Sequence, residues 1–315
     1  MEKYDLYPKK PELVEPKQKT GLSVTIFSMV LFVLVFLLIL GNEFKFVLYL
    51  LIVLIIHELG HFLTMKFFKY KNVRMLFVPL MGAFVQGSKA TYSQKESMIV
   101  TGAGPFPGMV IGSILVWYAS EIESPWLMTL ALLFLLLNII NLLPLDPLDG
   151  GQLFKLFLKK KYELFLMIFA FLSSLFMIAF GWIISSYIIM LFGFFMGFRV
   201  RALQKRFQVH KELKDEAVNY STTYKLLSNK DFVTIKNIVL NHTPALQKYV
   251  DQAASEESDS VIASQVNNVL VAPLKRDASL LFRCGILFLW VLSFITPVLL
   301  FYLVDLNWFL ANYVL

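Results

Sequence analysis

Charged residues are scarce in this chain of 315 amino acids. Only 16% of its residues are charged, whereas a soluble domain carries about a quarter. Hydrophobic residues make up 57% of the chain, and the mean hydropathy is +0.66. This balance excludes an ordinary soluble domain. Together with long apolar runs, it indicates a protein of the lipid bilayer.

Cysteine is almost absent. The single cysteine, Cys284, excludes an intrachain disulfide framework, and its place in an apolar run is typical of a small packing residue. Lys and Arg (29) outnumber Asp and Glu (22), but most of the cations flank apolar runs, where they set the orientation of a membrane protein. We therefore expect the lipid bilayer, and no nucleic acid, as the partner of these cations.

Apolar runs of about 17 to 25 residues are long enough to cross a bilayer as helices. About seven are present, which predicts an all-α polytopic membrane protein. They lie at about 21–40, 44–68, 98–119, 125–143, twice within 162–198, and at 280–304. Residues 162–198 are too long to cross once, so a helical hairpin turning at Gly181 is expected, and a kink is expected at Pro297. Because no cleavage site follows the first run, we expect it to be a retained anchor.

Cations cluster on alternate loops. They precede the first span, follow the second, the fourth and the hairpin, and precede the last: Lys3, Lys9, Lys10, Lys17, Lys19, Lys66, Lys69, Lys71, Arg74, Lys159, Lys160, Lys161, Arg199, Arg201, Lys205, Arg206, Lys275 and Arg276. The loops between them have few cations. The positive-inside rule predicts a cytoplasmic N-terminus and an outer C-terminus. A multi-pass protein of a bacterial cytoplasmic (inner) membrane is expected.

Two histidines and a glutamate interrupt the second apolar run, as HELGH at 57–61. On a helix this spacing puts His57 and His61 one turn apart, so both can reach one metal ion, with Glu58 near enough to act on a metal-bound water. Three ionisable groups in a membrane helix are costly unless they have partners. That cost favours a metal site over a structural pair of polar residues.

A catalytic zinc needs a third protein ligand. The other two histidines, His210 and His242, lie in a polar segment, which leaves carboxylates at the depth of the HELGH motif. The fourth span ends in NIINLLPLDPLDGGQLF, where Pro and Gly interrupt the helix around Asp146 and Asp149. Both spans run from outside to inside, so this end falls in the cytoplasmic half that also holds the histidines.

HELGH, followed about 80 residues later by N-x-x-P-x-x-x-L-D-G at 141–150, resembles the site-2 protease family of intramembrane zinc metalloproteases, whose two signatures are complete here. The resemblance implies that His57, His61 and Asp149 bind one catalytic Zn²⁺ and that Glu58 is the general base. It also implies that Asn141 holds the substrate or the developing oxyanion. Asp146 lies outside the signature and is expected to support the site or the local structure.

Two further stretches are similar to parts of that family. TGAGPFPG at 101–108 resembles the Gly-Pro element that opens its third core helix, and VPLMGAFVQG at 78–87 resembles its membrane-embedded β-hairpin. The hairpin is expected to pair with an unwound substrate by β-addition. Proline at Gly82 and Gly87 should then impair cleavage and leave zinc bound.

The resemblance implies a zinc metalloendopeptidase with a three-helix catalytic core. Its expected substrates are membrane-anchored proteins, cut within or near a transmembrane helix, in regulated intramembrane proteolysis or in clearance of signal-peptide remnants. The expected segments are a cytoplasmic tail at 1–20, a first transmembrane helix at 21–43, the catalytic core at 44–160, the helical hairpin at 161–199, a small, mostly helical cytoplasmic segment at 200–278 with a possible regulatory partner, and a C-terminal transmembrane helix at 279–315.

Two other interpretations remain open. A membrane zinc protease with a glutamate as third ligand would need a buried downstream Glu, but Glu121, Glu123 and Glu163 lie at the expected membrane edges. A catalytically inactive membrane scaffold or a metal transporter would keep the fold, but such a protein is expected to have lost Glu58 or a ligand. The behaviour of a Glu58→Gln variant separates the last two from a protease.

Overall fold

The computed structural model describes residues 7–13, 22–41, 43–79, 82–145, 148–158, 162–252, 255–305 and 308–309. In chain order its helices are α1 (Leu22–Ile39), α2 (Phe44–Phe67), α3 (Gln94–Gly102), α4 (Pro105–Glu121), α5 (Pro125–Leu142), α6 (Asp149–Phe157), α7 (Tyr162–Ile183), α8 (Tyr187–Asp215), α9 (Asn229–Asn241), α10 (Pro244–Gln252), α11 (Ser255–Val269) and α12 (Leu280–Leu303). The strands are β1 (Lys71–Val78), β2 (Gly82–Ser88), β3 (Tyr92–Ser93) and β4 (Leu274–Lys275).

The chain divides into two compact units. The larger unit comprises Lys19–Lys89, Ser93–Lys159 and Lys275–Leu315, and the smaller comprises Met1–Gln18, Ala90–Tyr92 and Lys160–Leu274. Both sequence motifs therefore belong to the larger unit. The polar segment at 200–278 belongs for the most part to the smaller one.

An antiparallel β-hairpin follows α2 in the larger unit. Its strands pair with Met75 opposite Val85 and Phe77 opposite Ala83. Phe77 packs on Phe32 of α1 and Leu54 of α2, and all three side chains are buried. The predicted hairpin is present, and it is anchored by apolar packing on the first two helices.

Helix α2 buries one face and exposes the other. Its buried side chains include Val47, Leu54, Glu58 and His61, at the spacing of a single helical face. Large apolar residues such as Leu63 lie exposed on the opposite side. The ionisable groups of the HELGH motif thus point into the protein and away from the exposed apolar face of the helix. The interior is where such groups find partners.

The run that predicts the third span is divided between two helices. α3 begins at Gln94, after the N-cap residue Ser93, whose side chain accepts a hydrogen bond from the Glu96 backbone N–H, and it ends at Gly102. α4 then begins at Pro105, since proline fits the first turn of a helix, where its missing N–H has no partner to lose. The break at 103–104 lies next to the candidate site.

The helical hairpin reverses direction at residues 184–186, not at Gly181 as predicted. α7 continues through Gly181 to Ile183 and ends where Ser185 takes a left-handed φ of 56° and the Ser186 N–H bonds back to the Gly181 carbonyl. A Cβ at Gly181 would lie 2.8 Å from Met190 Cγ. This glycine therefore permits close packing of α7 on α8 and does not form the turn.

Six helical segments are long and apolar enough to cross a membrane among the described residues: Leu22–Ile39, Phe44–Phe67, Gln94–Glu121, Pro125–Leu142, Glu163–Ile183 and Leu280–Leu303. The chain is thus an integral membrane protein by the length and composition of its helices. The sequence predicts about seven spans, and α8, which starts with the apolar stretch 187–198, would be the seventh. α12 is continuous through Pro297.

The polar segment of the smaller unit has its own hydrophobic core. Leu213 of α8, Ile235 of α9 and Val266 of α11 are fully buried within it. The N-terminal segment 7–13 packs on the same core, with the Lys10 ammonium donating to three backbone carbonyls at 2.5 to 3.1 Å. The mostly helical structure predicted for 200–278 is observed.

Candidate metal centre

His57 and His61 lie one turn apart on the buried face of α2. Their side chains are almost completely enclosed, with 2% and 7% of the residue surface exposed. Asp149 reaches them from the first turn of α6, after the chain has left α5 at Leu142. Asp146, the other acidic residue of this stretch, lies outside the described residues.

Three side-chain atoms converge on one point. His57 Nε2 and His61 Nε2 are 3.2 Å apart, and Asp149 Oδ2 lies 3.0 Å from the first and 3.2 Å from the second. Among the described residues this is the only group of three metal-type ligands whose donor atoms lie within 4.8 Å of one another. The structure thus brings together the three residues that the sequence resemblance implies as ligands.

The other nitrogen of each imidazole is held by an acceptor. His57 Nδ1 lies 2.7 Å from the side-chain oxygen of Asn138, and His61 Nδ1 lies 2.7 Å from the backbone carbonyl of Val100. Because both partners can only accept, each Nδ1 carries the proton and donates it. In the neutral rings, each Nε2 is then unprotonated, and its lone pair is directed at the common point.

This donor set fits a metal ion. Two imidazole lone pairs and a carboxylate oxygen would repel one another at these distances unless a cation lay between them. One proton can bridge only two of the three atoms, whereas one metal ion satisfies all three. Zinc bound at 2.0–2.1 Å in tetrahedral geometry would hold its ligand atoms about 3.3 Å apart, close to the separations seen here.

Gly104 borders the same point, in the break between α3 and α4. A Cβ on this residue would lie 2.4 Å from His61 Nε2 and 2.9 Å from His57 Nε2. Any side chain here would therefore enter the space that a shared ligand of the two imidazoles needs. Glycine is the one residue that leaves this space open.

Glu58 follows His57 on α2 and is buried, with 5% of its surface exposed. Within the part of the chain that the structure describes, no hydrogen bond or ion pair engages its carboxylate. A buried carboxylate beside a metal position, and not committed to another partner, is free to exchange protons with a water there.

Asn141 and Asn138 lie on α5, one turn apart. Asn141, predicted to hold the substrate, donates from Nδ2 to the Leu137 carbonyl of its own helix at 3.1 Å, which leaves its second N–H available. Asn138 was not predicted from the sequence, yet it is fully buried and bonds His57. The signal for it was present, because a second amide in an apolar run is costly unless it has a partner.

The remaining histidines are engaged elsewhere. His210 pairs with Glu163 at 2.5 Å, and His242 pairs with Glu212 at 2.7 Å, all in the smaller unit. Glu121 and Glu123 are exposed near the end of α4. None of these groups lies in the cluster of His57, His61 and Asp149. The first alternative interpretation, a glutamate as the third metal ligand, therefore has no candidate among Glu121, Glu123 and Glu163.

Residues 45–124 match the sequence profile of peptidase family M50. The matched region contains HELGH and ends before Asn141 and Asp149. This match supports the family resemblance on the side of the HELGH motif. The assignments of Asn141 and Asp149 depend on the second motif and on the geometry described above.

A zinc metalloprotease of Methanocaldococcus jannaschii is 28% identical to this chain over 252 residues, which is 73% of this chain and 63% of the relative. The chain therefore spans less than two thirds of that relative's length. The solved structure of a site-2 protease from the same organism is 26% identical, covers 56% of this chain and 87% of its own, and superposes with a TM-score of 0.44.

Proposed function

We propose that this integral membrane protein, with its peptidase family M50 match at 45–124, is an intramembrane zinc metalloprotease. It hydrolyses peptide bonds within or near the transmembrane segments of membrane-anchored proteins. The observation that carries the proposal is the convergence of His57 Nε2, His61 Nε2 and Asp149 Oδ2 inside a bundle of apolar helices. Ionisable groups at such a place are costly, and metal coordination offsets that cost.

The chain's own residues supply a proton path and a site for the oxyanion. Zinc, held by the three converging side chains, would supply a Lewis acid and lower the pKa of a bound water. Glu58 takes the proton of the attacking water and delivers it to the leaving amine. The second N–H of Asn141 is available to the carbonyl oxygen of the substrate, a contact of the kind worth a few kcal/mol in the transition state.

Strand β2 offers a backbone edge to the substrate. The other edge of the hairpin is occupied, because the Met75 carbonyl accepts from Thr25 Oγ1 at 2.7 Å and the Phe77 N–H donates to Ser28 Oγ at 3.2 Å, both on α1. Met75 and Phe77 therefore turn their backbone groups away from β2. In an antiparallel pair, residues opposite each other do the same.

The β2 residues opposite Met75 and Phe77 therefore direct their backbone groups away from β1. Val85 lies opposite Met75 and Ala83 lies opposite Phe77, so their N–H and C=O groups point to the free side of the strand. No backbone hydrogen bond from outside the hairpin reaches them among the described residues. A transmembrane helix hides its carbonyls in its own hydrogen bonds, and an unwound segment would regain partners by pairing here.

Orientation, partners and pathway complete the proposal. The N-terminus lies in the cytoplasm and the C-terminus outside, in a bacterial inner membrane, and the polar segment at 200–278 binds a regulatory partner. Both regulated intramembrane proteolysis and clearance of signal-peptide remnants suit this arrangement.

Cysteine labelling tests the proposed topology. In a Cys284→Ser background, an impermeant maleimide should label Glu123→Cys in intact cells, and Lys225→Cys only after permeabilisation. The reverse pattern would invert the topology.

The Glu58→Gln variant tests the activity. It keeps the three ligands and removes the base, so it should bind zinc as the wild type does and cleave at least about 100-fold more slowly. Membrane proteins captured by this variant are then offered to purified wild-type protein. Cleavage by the wild type alone is the expected result. Absence of cleavage by both the wild type and the variant would instead favour a scaffold or a metal transporter.

A further inference from the structure

The clearest feature not used by the proposed reaction is the contact of His57 with α5. His57 Nδ1 donates to Asn138 Oδ1 at 2.7 Å, and Asn138 Nδ2 donates to the Phe134 carbonyl at 2.7 Å. Both ends of the Asn138 amide are therefore bonded. The amide is fully buried and has one available orientation, since each end meets a partner of the opposite kind.

The space for this amide is created by α4. A Cβ at Gly108 would lie 2.3 Å from Asn138 Nδ2, 2.5 Å from its Cγ and 2.6 Å from its Oδ1. These are the three atoms that define the carboxamide plane. The smallest side chain at position 108 would thus occupy the volume that the Asn138 amide fills.

The next glycine of α4 provides a contrast. Gly112 lies one turn further along, and a Cβ there would meet Leu135 Cδ2 at 2.9 Å and Phe134 Cβ at 3.0 Å. These neighbours are apolar, and neither bonds the histidines. Close approach of α4 and α5 alone therefore accounts for Gly112, whereas Gly108 faces one polar group that contacts a candidate ligand.

We propose that Asn138, in the space left by Gly108, is the positioning residue for His57 as a metal ligand. By accepting from Nδ1, the amide fixes the proton on that nitrogen and keeps the Nε2 lone pair aimed at the point shared with His61 and Asp149. Through Phe134 the amide is itself tied to the backbone of α5. Asn138 touches neither substrate nor metal and acts only through His57. This inference rests on the proposed zinc site.

Metal affinity tests the proposal without any assay of cleavage. Zn²⁺ is titrated into the purified, detergent-solubilised chain against a chromophoric chelator. Asn138→Leu keeps the branched shape and the number of side-chain heavy atoms and removes the acceptor, and it should weaken zinc binding about 10- to 100-fold. A residue with only a packing role would tolerate leucine. Asn141→Ala, which removes the other amide of α5, should bind zinc like the wild type.

A double-mutant cycle tests the part played by Gly108. Gly108→Ala should weaken zinc binding as much as Asn138→Ala, because both remove the amide from His57. The double variant should be no worse than Asn138→Ala alone, since the added methyl then fills the space left by the missing amide. Gly112→Ala is the matched control and should keep wild-type affinity. The melting temperature of each metal-free variant identifies any that fails to fold.

The outcomes separate this inference from the proposed function. Wild-type affinity in folded Asn138→Leu, or additive losses in the cycle, would overturn the role of Asn138 and leave the zinc site standing. A wild-type chain that binds no zinc would overturn the proposed function and this inference with it.

Discussion

At the scale of single residues, the candidate site is formed by side chains whose orientation is already fixed. His57 and His61 each donate through Nδ1 to an acceptor on a neighbouring helix, Asn138 on α5 and Val100 on α3. Asp149 arrives from α6. Three separate elements thus set the directions of the three ligand atoms, which reduces the ordering cost of binding a metal.

A substitution at Gly104 tests whether the space between the imidazoles is needed. In Gly104→Ala the new methyl would lie closer than 3 Å to both Nε2 atoms, so we expect a loss of zinc binding of at least about tenfold, as for removal of a supporting group. Zinc per chain after gel filtration is the measurement. Gly285→Ala on α12, with no heavy atom within 4 Å, is the control. Equal zinc content in both variants would show that the methyl is tolerated.

Sequence alone predicts the residues that belong to a contiguous pattern. The four-residue spacing of HELGH on an apolar helix indicates two ligands and a base, and the second motif supplies Asp149 through the family resemblance. Asn138 and Gly104 do not belong to such a pattern. Their roles depend on how α3, α4 and α5 pack against α2, and that packing becomes visible only in three dimensions.

At the scale of secondary structure, the β-hairpin is asymmetric. Hydroxyl groups of α1 engage the outer edge of β1, while the outer edge of β2 faces away from α1. Gly82 opens β2 with a left-handed φ of 92°. Proline cannot adopt this angle, so Gly82→Pro would disturb the turn as well as the edge, and it is a poorer test than the sequence suggests.

Val85→Pro tests the edge more cleanly. The Val85 N–H points away from β1, and an edge strand tolerates proline at such a position. We expect cleavage of a membrane-anchored substrate to fall about tenfold, the effect of one lost hydrogen bond of about 1.4 kcal/mol, with zinc content unchanged. Val85→Ala keeps the N–H and should cleave normally. Wild-type cleavage by the proline variant would remove β-addition at this strand from the proposal.

Helix ends followed the sequence where an apolar run ends in polar residues or proline. α1, α2 and α5 begin and end within one residue of the predicted spans. The prediction was wrong at Gly181, where the glycine serves close packing and Ser185 takes the left-handed conformation. Glycine is suited to both tasks, and only the position of the neighbouring helix decides between them.

At the scale of the whole molecule, the polar groups are distributed between two units with different surroundings. The larger unit buries His57 and His61 and partly buries Asp149. The smaller unit buries His210 against Glu163 and the Val269 carbonyl, so both ring nitrogens of this histidine have partners within the unit. Composition and charge predict an integral membrane protein and the polar segment, but neither property determines how the chain divides into compact units.

The central claim is that His57, His61 and Asp149 hold one zinc ion. X-ray absorption at the zinc edge, on the purified chain loaded with one equivalent of zinc, tests it most directly. The account predicts two imidazole nitrogens and a carboxylate oxygen at about 2.0–2.1 Å, with this signature lost in Asp149→Ala. A chain that retains no zinc after gel filtration, or an identical spectrum and zinc content in Asp149→Ala, would contradict the account.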